Sequence, residues 1–153
     1  MHSLSKKLNL KDTQKRFVFG TPKTCLWVIE ALKEDGHVFE DLNALHEMSM
    51  ALIFVQSQKE LADILPALME KLTSDALFWV AYPKKSSKRY TSDLHRDQGF
   101  ERIGHYGYEP VRQIAIDEDF SALRFKPVHA IKTLHRSAKM ALSKEAKKRI
   151  QSK

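Results

Sequence analysis

The chain has 153 residues, of which 42% are hydrophobic and 29% are charged, and it carries a formal net charge of +7. This length suits a single folded domain, and the hydrophobic share argues against an intrinsically disordered chain. The longest apolar runs, at 51–55 and 76–82, are too short for a membrane span of roughly 20 residues.

The single cysteine, Cys25, excludes an internal disulfide and a cysteine-based zinc site. Charged residues interrupt the N-terminal segment before any apolar stretch, which is unlike a secretory signal peptide. We therefore expect a cytoplasmic protein that has no membrane partner.

The positive charge is concentrated at the C-terminal end of the chain. Segment 128–153 holds eight basic residues and one acidic residue, so residues 1–127 carry no net charge. The basic residues are Lys132, Arg136, Lys139, Lys144, Lys147, Lys148, Arg149 and Lys153. This contrast predicts a folded domain over 1–127 and a basic helical tail over 128–153. Such a tail is either a solvated helix or an electrostatic arm for nucleic acid or another polyanion.

The first third of the chain reads as strand, helix and strand. The apolar run at 16–20 predicts a buried strand. A helix follows, with Pro22 in its first turn and Leu26, Ile29 and Leu32 on one face. A second strand is predicted at 37–42.

Two fully apolar runs in the middle of the chain, at 50–55 and 76–81, predict strands at 50–56 and 76–82 that are covered on both faces. Between them, apolar residues recur at helical spacing from Leu61 to Leu72, which predicts an amphipathic helix. The link from the second strand to the third is shorter than the dozen or so residues that a parallel crossover usually needs. That connection does not fit the simplest topology.

The last predicted elements are a short helix at 92–104 and two strands, at 110–117 and 120–126, around an acidic turn. A C-terminal helix is predicted after Pro127. Strand–helix alternation that ends in a hairpin predicts a three-layer, Rossmann-like α/β fold. Its sheet should be mostly parallel and end in an antiparallel hairpin.

Three motifs lie between Ala76 and Pro127: ALFWVAYPKKSSK, SDLHRDQGF and PVRQIAIDEDFSALRFKP. Together they resemble a bacterial family of domains of uncharacterised function, in which a YPKxSSK motif is followed by SALRF. The resemblance extends over about residues 15 to 127. It implies a Rossmann-like fold similar to a shortened methyltransferase core, and it implies no particular reaction.

Ligands of open α/β sheets bind beyond the carboxyl ends of the strands. An S-adenosylmethionine site there would need a glycine-rich turn after the first strand. This chain offers only Gly20, with Pro22 and Lys23 where further glycines would be expected. Glu40 and Asp41, about twenty residues later, could bind ribose hydroxyls. The alternative interpretation is a tight turn at Gly20 and two surface acids at the end of a strand.

The loop after the fourth predicted strand is the stronger candidate site. It combines four cationic and two hydroxyl side chains: Lys84, Lys85, Ser86, Ser87, Lys88 and Arg89. At the expected binding edge of the sheet, these side chains could hold a phosphate. The alternative is a solvated loop whose serines cap the next helix.

Charged residues of the predicted hairpin have a structural interpretation. Arg112 and Arg124 lie on adjacent strands and are expected to pair with Asp117 or Asp119. The acidic turn offers two carboxylates, but an exposed turn cannot desolvate them for acid–base catalysis. We therefore expect no catalytic role for this turn.

The remaining candidates for chemistry are weak. His95 lies close in sequence to Ser92, Asp93 and Asp97, but such crowding does not allow independent placement around a substrate. The histidines show no spacing typical of metal ligands. Cys25 opens a helix between apolar neighbours, which indicates a buried, unreactive thiol.

The sequence thus predicts a non-catalytic module that binds a phosphate-containing ligand or nucleic acid through its 84–89 loop and needs no cofactor. One alternative is a degenerate methyltransferase-like enzyme that binds S-adenosylmethionine. Another is a domain that binds a protein partner.

Overall fold

A six-stranded mixed sheet forms the centre of the computed structural model, which describes residues 3–131. The strands are β1 (Lys15–Phe19), β2 (His37–Phe39), β3 (Met48–Phe54), β4 (Leu72–Pro83), β5 (Tyr108–Ala115) and β6 (Phe120–Pro127). Their order is β2-β1-β3-β4-β6-β5. The first four are parallel, and β6 is antiparallel to β4 and β5. The predicted sheet is confirmed.

Helices lie on both faces of this sheet. They are α1 (Ser3–Lys7), α2 (Leu26–Lys33), α3 (Gln58–Met69) and α4 (Glu101–Gly104), with 3-10 helices at Lys23–Cys25, Leu42–Ala44 and Val128–Ala130. The helix predicted at 92–104 is wrong except for α4, since the preceding residues form turns. Most of the predicted C-terminal helix and basic tail lies outside the described residues.

Alternate residues of the central strands face two separate hydrophobic layers, as the two-residue period of a strand requires. In β4, Trp79 belongs to the layer that includes Leu8 and Leu32 from the α1 and α2 side. Its neighbour Phe78 belongs to the layer that includes Leu65 of α3. The predicted three-layer arrangement is therefore confirmed.

The predicted apolar stripe of α2 is confirmed for Ile29 and Leu32, which are buried, and wrong for Leu26, which is 53% exposed. Val28 and Ala31 are buried on the same side of the helix. A helix turns by about 100° per residue, so Leu26 lies about 200° around the axis from Val28 and outside the buried stripe.

The link from β2 to β3 crosses β1 without an intervening α-helix. The link covers residues 40–47 and is only one residue longer than the predicted link at 43–49, because β2 ends earlier and β3 begins earlier than predicted. Leu45 of the link is buried in the hydrophobic layer on the α3 side. The Lys71 ammonium donates hydrogen bonds to the carbonyl oxygens of Leu42, at 2.6 Å, and Leu45, at 3.0 Å. These contacts resolve the difficult connection.

A fully buried arginine, Arg16, joins three segments at the end of the sheet opposite the predicted binding edge. Its guanidinium donates to the Leu32 carbonyl oxygen at 2.7 Å, to the Lys11 carbonyl oxygen at 2.8 Å, and to the Asp35 carboxylate. A Cβ added at Gly36 would lie 2.6 Å from its Cζ atom. Gly36 therefore leaves room for the arginine, besides following the helix.

Candidate functional site

The loop after β4 lies beside the turn between β5 and β6. Because β4 and β6 are antiparallel, the end of β4 faces the start of β6, with Tyr82 opposite Ser121 and Pro83 opposite Phe120. The cationic loop and the acidic turn therefore meet at one edge of the sheet.

Asp119 of the acidic turn anchors the loop. Its backbone oxygen accepts a hydrogen bond from the Lys84 N–H at 2.8 Å, and its carboxylate accepts one from the Ser87 hydroxyl at 2.8 Å. Arg89 Nε lies 3.9 Å from the same carboxylate. The Asp119 residue is only 6% exposed, so the expectation of an exposed turn is wrong for this residue.

The six predicted loop residues have different environments. Lys84, Lys85 and Ser86 line a cavity. The Ser87 hydroxyl accepts hydrogen bonds from the backbone N–H groups of Arg89 and Tyr90, at 3.3 and 3.1 Å, and so stabilises the loop itself; no helix follows for it to cap. Lys88 is exposed and does not line the cavity. The loop thus contributes partly to the cavity wall and partly to its own local structure.

The cavity has a volume of about 620 Å³ and opens between the β4 loop, the hairpin and the turn at 95–98. Its lining residues are Tyr82, Lys84, Lys85, Ser86, His95, Arg96, Asp97, Gln98, Gln113 and Ser121. Backbone hydrogen bonds between His95 and Gln98, at 2.9 and 3.0 Å, hold the turn. This volume is in the range of small-molecule sites.

Sequence reasoning missed the cavity contributions of the turn and of the hairpin. Gln113 and Ser121 come from different strands. The Gln113 side-chain amide donates a hydrogen bond to the Ser121 hydroxyl at 3.5 Å. The available signal was one uncharged polar side chain on each of the two strands. Their proximity to Lys84 follows only from the strand register.

Positive charge dominates the cavity wall. Among the described lining residues, Lys84, Lys85 and Arg96 are cationic and Asp97 is acidic. The Nδ1 atom of His95 is buried and has no hydrogen-bond partner among the described residues. Burial raises the pKa of Tyr82, while the charge of Arg96 lowers it and that of Asp97 raises it. The charges of Arg96 and Asp97 therefore both act on the Tyr82 hydroxyl in the cavity wall.

The residues proposed for S-adenosylmethionine do not line this cavity. Gly20 has a φ of +72°, and a Cβ there would lie 2.5 Å from the Phe54 carbonyl oxygen. The Asp41 carboxylate accepts a hydrogen bond from the Asn43 N–H at 2.9 Å and caps the following 3-10 helix. Glu40 is exposed directly after β2. Local structure thus accounts for Gly20 and Asp41.

The segment after β1 also contacts the loop and turn of the candidate site. The Thr24 and Tyr90 hydroxyls lie 2.8 Å apart, and the Cys25 thiol donates to the Asp117 carboxylate at 3.5 Å. The Cys25 residue is fully buried, as the sequence predicts. Burial, then the negative charge of Asp117, raises its pKa from 9.0 to about 12. This thiol is protonated at neutral pH.

The predicted ion pairs of the hairpin are wrong. Arg112 lies directly opposite Arg124, and within residues 3–131 neither guanidinium has a hydrogen bond or ion pair. The Asp117 carboxylate instead accepts hydrogen bonds from the backbone N–H groups of Asp119 and Phe120, each at 2.8 Å. Burial, then the charge of Arg112, lowers the pKa of Arg124. The strand register places the two arginines opposite each other, while the Asp117 carboxylate is used within the turn.

The residues near His95 do not form a hydrolase triad. The Asp93 carboxylate accepts a hydrogen bond from the Gln58 N–H at 2.8 Å, and the Ser92 hydroxyl accepts one from the Leu94 N–H at 3.0 Å. Both groups therefore serve loop structure. Residues 3–131 also contain no group of three side chains suited to a metal ion, and none of their helices is long and apolar enough to cross a membrane.

No protein-family model matches the sequence, and no curated protein matches it significantly. Several solved structures are similar in fold. The Bacillus subtilis tRNA (m1A22) methyltransferase TrmK is 11% identical, with a TM-score of 0.50 over 94% of this chain and 74% of that chain. The Streptococcus pneumoniae protein Sp1610, a putative tRNA (m1A22) methyltransferase, is 11% identical, with a TM-score of 0.51 over 98% and 79%.

The mitomycin 7-O-methyltransferase MmcR is 8% identical to this chain and gives a TM-score of 0.51, over 82% of this chain and 55% of that one. Likeness at such low identity concerns the path of the backbone and not the chemistry of the site. The chain therefore has a Rossmann-like fold of the kind found in methyltransferases.

Proposed function

We propose that this protein is a binding module for a phosphate-containing ligand, which it holds in the cavity between the β4 loop and the turn at 95–98. The observation that supports the proposal is the charge of the cavity wall, where Lys84, Lys85 and Arg96 outnumber Asp97. These side chains converge from two separate segments of the chain. A phosphate would bring the negative charge that the wall lacks.

The chemistry of the lining suits a phosphate group. Lysine ammonium groups supply point charges, and an arginine fork can bind two phosphate oxygens together. The Ser86 hydroxyl adds a short hydrogen-bond donor at the same wall. Asp119 fixes the backbone of Lys84, so part of the ordering cost is met before the ligand binds.

A role in binding rather than catalysis agrees with the environment of His95. A catalytic imidazole is usually oriented by a hydrogen bond to its second nitrogen, commonly from a carboxylate. Here Nδ1 has no partner among the described residues, and the neighbouring Asp93 is occupied by the Gln58 backbone. A phosphate oxygen could instead accept a hydrogen bond from the imidazole.

Calorimetric titration with inorganic phosphate and with a nucleoside monophosphate, at low and high salt, tests this function. We expect binding at low salt that weakens as salt screens the charges. The double variant Lys84→Ala/Lys85→Ala should lose it. Lys88→Ala is the matched control, because Lys88 belongs to the same loop but is exposed outside the cavity. Equal affinity for the double variant and the wild type would reject the site.

A second candidate function is S-adenosylmethionine binding by a degenerate methyltransferase-like enzyme. One observation favours it: Glu40 directly follows β2, which is parallel to β1, so it lies at the same sheet edge as Gly20. Titration with S-adenosylmethionine and S-adenosylhomocysteine distinguishes the two functions. Absence of heat at about 1 mM ligand would reject this candidate, whereas binding that Glu40→Gln abolishes would support it.

A further inference from the structure

Two arginines on the hairpin form an unbalanced cationic pair outside the cavity. Arg112 of β5 and Arg124 of β6 are register partners, so their side chains leave the same face of the hairpin. Arg124 Nε is buried without a hydrogen-bond partner among the described residues. Like charges directly opposite each other destabilise a sheet. An external anion would balance this arrangement.

The pair lies beside the candidate site but on the other face of the hairpin, because Arg112 and Arg124 alternate along their strands with Gln113 and Leu123, which line the cavities. A smaller cavity of about 110 Å³ lies along the edge strand β5, and its lining includes Arg112. Arg96, Asp97 and Gln113 line both this cavity and the larger one. The cationic side chains of Lys84, Lys85 and Arg96 therefore lie on one face of the hairpin and those of Arg112 and Arg124 on the other, with the edge strand β5 between them.

We propose that Arg112 and Arg124 bind a second phosphate group of the same ligand, so that the ligand is a single strand of nucleic acid rather than a small phosphorylated compound. This inference rests on the proposed function, since the larger cavity supplies the first phosphate contact. Because β5 is an edge strand, no neighbouring strand blocks the path around it. The strand would thus pass from the cavity over the hairpin edge.

The shape of the site favours nucleic acid over an acidic peptide. Guanidinium forks match the tetrahedral oxygens of phosphodiesters, which repeat along a nucleic-acid backbone. The larger cavity has room for a nucleotide and offers the amides of Gln98 and Gln113, which can bond to base edges. A glutamate or aspartate side chain would leave most of that volume empty.

The test compares two probes on the full chain: inorganic phosphate and a single-stranded oligothymidylate of about 12 nucleotides. We expect Arg112→Gln and Arg124→Gln each to weaken oligonucleotide binding about tenfold at low salt, while the phosphate binding that depends on Lys84 and Lys85 stays unchanged. Each variant should also reduce the salt dependence of log K by about 0.7 for a lost phosphate contact. Arg102→Gln is the matched control, because Arg102 is exposed and lines neither cavity.

The outcomes separate the two proposals. If Lys84→Ala/Lys85→Ala weakens phosphate binding but Arg112→Gln leaves oligonucleotide binding unchanged, the second phosphate contact at the arginine pair is rejected and the proposed phosphate site remains. If neither probe binds, both proposals fail. Polyglutamate that binds as tightly as the oligonucleotide, with equal loss in Arg112→Gln, would also overturn the nucleic-acid assignment. Arg112 is exposed, so Arg112→Gln tests the second phosphate contact even if Arg124→Gln fails to fold.

Discussion

The Ser87 hydroxyl donates a hydrogen bond to the Asp119 carboxylate at 2.8 Å, across 32 positions of sequence. This contact joins the cationic loop to the hairpin turn. A buried carboxylate thus holds the loop that forms one wall of the cavity. The loop residues that line the cavity owe their position to a residue that does not line it.

Asp119→Asn should therefore lower both stability and ligand affinity. The amide cannot satisfy Ser87 and Arg89 as a carboxylate does, and a disturbed buried hydrogen bond to a charged group costs about 1–3 kcal/mol. Urea unfolding and phosphate titration measure the two effects. Glu118→Gln is the control, since Glu118 is exposed in the same turn. Equal stability of Asp119→Asn and wild type would contradict the anchoring role.

Arg112→Gln should increase the stability of the ligand-free protein. It removes a like charge opposite Arg124, and unfavourable cross-strand pairs of this kind amount to about 0.2–1 kcal/mol. Thermal unfolding at low salt checks the gain, which should shrink at high salt. A loss of stability in the variant would show that Arg112 has a compensating partner.

Arg16→Met should destabilise the protein strongly without affecting the phosphate site, which lies at the other end of the strands. Removal of one partner of a buried ion pair typically costs about 3–5 kcal/mol. Denaturant unfolding measures this effect. Lys15→Met is a control for the loss of charge alone, because Lys15 is the exposed neighbour on β1. A small effect of Arg16→Met would contradict a stabilising role for the buried network.

The raised pKa of Cys25 predicts a stability loss at alkaline pH. The thiol ionises near pH 9.0 when unfolded and near 12 when folded, so the folded state retains its proton between these values. Stability is then lost as the pH rises through this window, by at most about 1.4 kcal/mol per pH unit. The difference in unfolding free energy between wild type and Cys25→Ala isolates this contribution. A difference that does not change with pH would reject it.

A chain that ends after residue 131 separates the tail from the cavity. Because the lost segment carries eight of the 26 basic residues, we expect weaker oligonucleotide binding at low salt. Phosphate affinity should stay unchanged, since the described lining residues all precede residue 122. Titration of both probes checks this. Loss of phosphate binding would instead place the site, at least in part, on the tail.

The central strands and α3 could be predicted from sequence because their signals are local. In β3 and β4 consecutive residues are buried, which gives continuous apolar runs. In α3 one face is buried, which gives apolar residues at helical spacing from Leu61. The short link after β2 was harder, since its 3-10 helix and the burial of Leu45 under the sheet are set by contacts with later parts of the chain. Its support by Lys71 is a long-range contact.

The candidate site could be predicted only in part. The loop at 84–89 was found because four cations follow a buried strand, which is visible in the sequence. Asp119, Gln113 and the turn at 95–98 were missed as site elements because strand register and loop packing bring them to the loop. The pairing of Arg112 with Arg124 was missed for the same reason, since a bulge shifts the register beside Pro110.

Lys71 has a consequence for the order of folding. Its ammonium holds the carbonyl oxygens of Leu42 and Leu45, and its own carbonyl oxygen accepts a hydrogen bond from the Met48 N–H at 2.7 Å. One residue after α3 thus fixes both halves of a segment that precedes α3. The link between β2 and β3 therefore gains these contacts only once the chain has been made as far as Lys71, after the helix that follows the link in sequence.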